Sequence, residues 1–166
     1  IDRYGHAALM AGSTLGADLG YIVTASATEG ITTIIPVGIE KWTPGSIDEA
    51  TRVAGRKNVD WSMGMSVGLI PIQGEIITEI EAFKMLAKVR VTIIGRGGIN
   101  GAEGSTTFII EGDESEVVKI CRLVMKLKDS GTSGDAVSLW ECSPGSPNCK
   151  NHLGCIYAGK QIIKVF

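Results

Sequence analysis

The chain has 166 residues, a formal net charge of −2 and 44% apolar side chains. That is enough for one domain, or one domain with an elaborate extension, around a real core. Without a Lys/Arg cluster it lacks the phosphate-neutralising surface of a nucleic-acid binder, and no apolar run approaches the roughly 20 residues of a membrane-spanning helix.

Glycine is abundant at 22 residues and aromatics make up only 5%. Such a chain builds its core from Ile, Val, Leu and Met and turns often. The N-terminal Ile1-Asp2-Arg3-Tyr4 shows no signal-peptide pattern. A cytoplasmic protein with reduced thiols is therefore expected.

In chain order, residues 1–18 read as a loose lead-in, with Gly5, Gly12 and Gly16. The β-branched runs 19–25 and 31–37 predict a strand, a turn and a strand, with Pro36 closing the second. Ser46, with Glu49 three residues on, predicts the N-cap of a short helix over 47–57. Trp42 and Trp61 flank it and are expected to pack.

Residues 65–72 predict a strand ended by Gln73-Gly74. Residues 75–88 predict a helix with Ile76, Ile80, Phe83 and Ala87 on one face. A strand over 89–95, a glycine-rich loop over 96–104 and a strand over 105–111 follow. Asp113 and Glu116 predict the cap of a second helix, with Val117, Cys121, Val124 and Lys128 along one face and Cys121 as a core thiol. A last strand is expected over 136–141.

This order, β-α-β-β-α-β, predicts an α+β, ferredoxin-like sandwich with both helices on one face of a four-stranded sheet. The open face calls for a partner. The expected organisation is an N-terminal extension (1–60, a strand pair plus a short helix), the sandwich (61–142) and a cysteine-containing tail (143–166).

Three features offer chemistry. The first is the loop of Arg96, Gly97, Gly98, Asn100, Gly101, Glu103 and Gly104. It reads as a plain hairpin connection, a pore or interface loop, or an anion cradle. It joins two strands and lacks a Gly-Lys-Ser/Thr ending, which counts against a phosphate loop. The second is the tail, where Cys142, Cys149 and Cys155 surround His152. Thiolates and an imidazole suit zinc or an iron–sulfur cluster, but the usual two-residue Cys spacing is absent. Free thiols and a disulfide pair are the alternatives. The third is the acidic pairs Asp48-Glu49 and Glu79/Glu81, which read as solvated helix faces rather than paired catalytic carboxylates. His6 stands alone, and no nucleophile elbow is present.

The runs Ser66-Val67-Gly68-Leu69-Ile70-Pro71-Ile72, Glu81-Ala82-Phe83-Lys84-Met85-Leu86-Ala87, Val89-Arg90-Val91 and Phe108-Ile109-Ile110-Glu111-Gly112-Asp113 together resemble the bacterial microcompartment shell domain. The resemblance covers about half the chain. It departs from the family at Ala87, where a lysine usually follows the Met-Leu pair. It also departs in the long 96–104 loop and in the tail.

The resemblance implies a non-enzymatic shell subunit that forms trimers or hexamers and assembles with other shell proteins. The 96–104 loops would line a central pore for small metabolites. The alternative is a metal- or iron–sulfur-binding redox protein using the C-terminal cysteines.

Overall fold

The structure, a computed structural model, describes residues 1–128, 130 and 152–156. It is a mixed α/β protein whose sheets, among the described residues, are three two-stranded pairs. Its elements are β1 (Ala7–Ala11), α1 (Ala17–Glu29), β2 (Ile34–Pro36), α2 (Ile47–Val53), β3 (Gly68–Ile72), β4 (Glu75–Ile77), α3 (Glu79–Leu86), β5 (Val89–Arg96), β6 (Thr106–Gly112) and α4 (Glu114–Lys128).

The chain divides into two compact units that interleave in sequence. The first holds Ile1–Thr33, Thr43–Gly74 and the described residues 152–156. The second holds Ile34–Trp42 and the chain from Glu75 onward through α4. The stretch 61–142, expected as one domain, is thus divided after Gly74. The reason lies in strand pairing: β3 runs antiparallel to β1, with Leu9 opposite Ile70.

The N-terminal segment differs most from expectation. The lead-in contains strand β1, the first predicted strand (19–25) lies instead in helix α1, and the second (31–37) is present as the short strand β2 ending at Pro36. Thr24 and Thr28 explain part of this. Their hydroxyls donate to the carbonyls of Gly20 and Thr24 at 2.8 and 3.0 Å, so β-branched residues are accommodated in helical backbone. Gly30, at φ 65°, then ends the helix in the left-handed conformation. Entry into α1 is tight: Leu15, Gly16 and Ala17 have φ of 55°, 76° and 48°.

In the first unit Asp2 is the main organiser. Its buried carboxylate accepts N–H bonds from Tyr4 (2.9 Å), His6 (3.0 Å) and Ile47 (2.9 Å). The His6 ring nitrogen Nδ1 lies 3.1 Å away. This joins the chain start to the first turn of α2. Helix α2 has the expected cap, with Ser46 Oγ accepting the Glu49 N–H.

In the second unit β2 and β4 pair in parallel, Ile35 opposite Ile76. The helix expected over 75–88 therefore starts later, at Glu79. Ile76 and Ile77 are used as strand, and Thr78 and Glu81 form a capping box. Glu79 accepts the Ile39 N–H at 2.9 Å. Glu79 and Glu81 are thus bonded to backbone, not merely solvated.

The core of this unit is Phe83, Ala87, Val91 and Ile120, backed by Ile80, Phe108, Ile110 and Val124. Phe83 and Phe108 meet edge to face at 5.7 Å. The buried line of α4 passes through Ile120 at 1% exposure, and Cys121 is exposed. The expected role of Cys121 as a core thiol is overturned by one step of helical rotation, roughly 100°. Lys88 N donates to Glu116 at 2.8 Å, and the Lys119 ammonium bonds the Leu86 carbonyl, so α4 holds the α3–β5 turn.

Candidate functional site

The β5–β6 hairpin has one covered face and one open face. Strand alternation places Val89, Val91 and Ile93 with Phe108 and Ile110 toward the helices. Arg90, Thr92 and Ile94 of β5 and Thr107, Ile109 and Glu111 of β6 are exposed. Ile94 is the extra residue of a β-bulge, because Ile93 pairs with Phe108 and Gly95 with Thr107. A bulge re-aims its side chain, and Ile94 is left 61% exposed, with Ile109 at 44%.

Arg90 and Glu111 sit opposite each other and form a bidentate pair at 2.7 and 2.9 Å. That pairing raises the Arg90 pKa and lowers that of Glu111. On the described residues, β5 and β6 pair only with each other. Among the described residues, each therefore has an outer edge that no other strand pairs.

The loop is built from backbone. Gly97 N donates to the Ser105 carbonyl at 2.9 Å, and Ser105 Oγ returns a bond to the Gly97 carbonyl at 2.9 Å. Asn100 and Gly101 take φ of 54° and 93°. Glu103 accepts the Gly101 N–H at 3.2 Å, and backbone donors lower its pKa. Gly98 packs so closely on Ala102 that an added Cβ would lie 2.5 Å from the Ala102 carbonyl oxygen. Ile99, at the tip, is 79% exposed. The Arg96 guanidinium stands 5.6 Å from the centroid of the Trp42 ring. The loop residues are thus brought together, with Trp42 as a base that sequence spacing did not indicate. Trp61, expected to pack, is exposed.

Of the tail residues, Cys142 and Cys149 lie outside the described residues. Cys155 is a buried free thiol. Its turn is held to Ser62: Ser62 N donates to the Gly154 carbonyl at 2.8 Å and Ile156 N to the Ser62 carbonyl at 2.9 Å. Ser66 Oγ donates to the Leu153 carbonyl at 2.7 Å. His152 Nδ1 is buried without a protein partner among the described residues. Those residues contain no group of three or more His, Cys, Asp or Glu placed to hold a metal ion. They also contain no helix long and apolar enough to cross a membrane.

Comparison with protein-family models, with curated proteins and with solved structures gives no match to this chain.

Proposed function

We propose that this chain is a self-assembling structural subunit, without catalytic turnover, of the bacterial microcompartment shell type. The observation that carries the reading is the open face of the β5–β6 ribbon. There Ile94 and Ile109 stand exposed on a ribbon whose outer edges pair with no other described strand, and Val89, Val91, Phe108 and Ile110 of the opposite face pack in the core with α3 and α4. Exposed apolar side chains and open strand edges are what association between chains consumes.

The chain order β3, α3, β5, β6, α4 follows the element order of that type as far as its second helix, with β4 as an addition and with β3 paired to β1 in the first unit. In a trimeric or hexameric ring the loop with Arg96, Asn100 and Glu103 would line the axis and set the polarity of a pore for small metabolites. Two of its glycines, Gly97 and Gly101, have no neighbour within 4 Å of an added Cβ and leave room for close approach of copies. Light scattering on the size-exclusion peak tests the reading. A trimer or hexamer that becomes monomeric when Ile94→Asp and Ile109→Asp are combined supports it. A monomeric parent chain refutes it.

A second reading, metal binding by the tail, is favoured by one observation. His152 Nδ1, buried and without a partner among the described residues, lies in the same turn as the buried Cys155 thiol. Imidazole and thiolate suit zinc or an iron–sulfur cluster. Elemental analysis of protein purified without oxygen, repeated on Cys155→Ser, decides it.

A further inference from the structure

We propose that a groove between α1 and β3 in the first unit binds a small organic anion, a carboxylate carrying a short apolar body. This goes beyond the assembly reading and does not depend on it. The groove has a volume of about 380 Å³. That lies at the lower end of the range for small-molecule sites, about 300–1,000 Å³. Leu15, Gly20, Thr24, Arg56, Leu69 and Ile70 are among its lining residues. Helix α1 buries none of its 13 residues, so its inner side stands open along the groove instead of packing shut.

Two glycines beside the groove sit where the chain is too tightly packed for a side chain. A Cβ at Gly20 would lie 2.0 Å from the Leu15 carbonyl oxygen, and one at Gly16 would lie 2.7 Å from Ile70 Cδ1. Leu15 is held at positive φ with its side chain 92% exposed beside the groove. A leucine in that state contributes no packing to the free protein. It is placed to close over an apolar guest together with Leu69 and Ile70.

Arg56 supplies the charge. Its Nη1 donates to Thr14 Oγ1 at 2.8 Å, which fixes the guanidinium beside the groove. None of the ion pairs among the described residues involves it. Its remaining N–H donors form the planar fork that matches a carboxylate in bidentate fashion. Apolar walls on one side and a guanidinium with no ion pair among the described residues on the other select an anion with a short hydrocarbon portion over a bare ion.

The test is a two-dimensional NMR titration of the full chain with sodium butyrate, in parallel with 1-butanol and with inorganic phosphate. Saturable shifts of the Gly16, Gly20 and Gly68 amides are expected with butyrate. Affinity for 1-butanol and for phosphate should be at least tenfold weaker. Arg56→Gln should lose butyrate binding by a similar factor. Thr24→Trp, which fills the groove from an exposed position, should abolish it with the spectrum otherwise preserved. The proposal is overturned if butyrate causes no saturable shift at these amides. It is equally overturned if phosphate or 1-butanol binds as well as butyrate, or if the Thr24→Trp protein keeps its affinity.

Discussion

The carboxylate of Asp2 accepts the backbone N–H of Ile47 at 2.9 Å, across 45 positions of sequence. That bond, with those from Tyr4 and His6, ties the chain start to helix α2. Replacing Asp2 by Ala should destabilise the first unit by about 2 kcal/mol, the usual worth of hydrogen bonds to a charged acceptor. Denaturant unfolding followed at Trp61, the tryptophan of that unit's described part, would measure it.

The same carboxylate predicts an acid dependence. Burial alone would raise the Asp2 pKa, but the N–H groups of Ile47, His6 and Tyr4 and the His6 ring outweigh burial and hold it at about 2, below its ordinary 3.8. The folded state therefore favours the ionised form. Its stabilisation is complete above about pH 3.8 and is lost as the pH falls toward about 2. An Asp2→Asn protein should lack this component, and the difference in stability between the two proteins should shrink across that window.

Thr78→Ala should cost about 1 kcal/mol, because it removes a helix N-cap and one half of the capping box at α3. Glu81 is lowered below its ordinary pKa: burial opposes this, and bonding to Thr78 outweighs burial, with the Lys84 charge assisting. In Thr78→Ala the Glu81 pKa should therefore rise toward the normal carboxylate value. Carbon-detected NMR titration of the glutamate side chains reads it directly.

Ile120→Ala should cost about 3 kcal/mol, because Ile120 is the most buried large side chain of the second unit's core. Cys121→Ser, one residue on and exposed, should change the melting temperature little. Equal losses from the two would mean that α4 is rotated relative to this structure.

Gly101→Leu tests the hairpin loop. Nothing lies within 4 Å of an added Cβ there, so no clash arises inside the chain, although φ of 93° adds backbone strain of about 1 kcal/mol. The folded chain should persist, and ring assembly or passage of small molecules should be impaired. Unchanged light scattering and unchanged permeation would remove the loop from the axis.

Much of the second unit was legible in sequence. The alternation of Val89 with Val91 and the spacing Ile80, Phe83, Ala87 describe faces that do meet in the core. The loop 96–104 was legible from its glycines. Helix α1 was not, because Ile22, Val23 and Thr24 satisfy a strand pattern as readily as a helix that packs weakly. The Thr78–Glu81 cap carries a sequence signature, Thr-x-x-Glu, that the longer apolar period from Ile76 concealed. Asp2 to Ile47, Arg56 to Thr14 and Arg96 to Trp42 join distant segments, and no local pattern announces them.

The interleaving of the two units has a consequence for biosynthesis. Strand β1 leaves the ribosome long before its partner β3, and Ser62 and Ser66 wait for the turn around Cys155. The first unit therefore cannot close while the nascent chain is still being extended through the second. Its contacts are non-local, which slows folding, whereas the second unit's hairpin and helices are local and form early. Until the tail arrives, Ser62 and Ser66 lack the hydrogen-bond partners that the turn at 153–156 supplies.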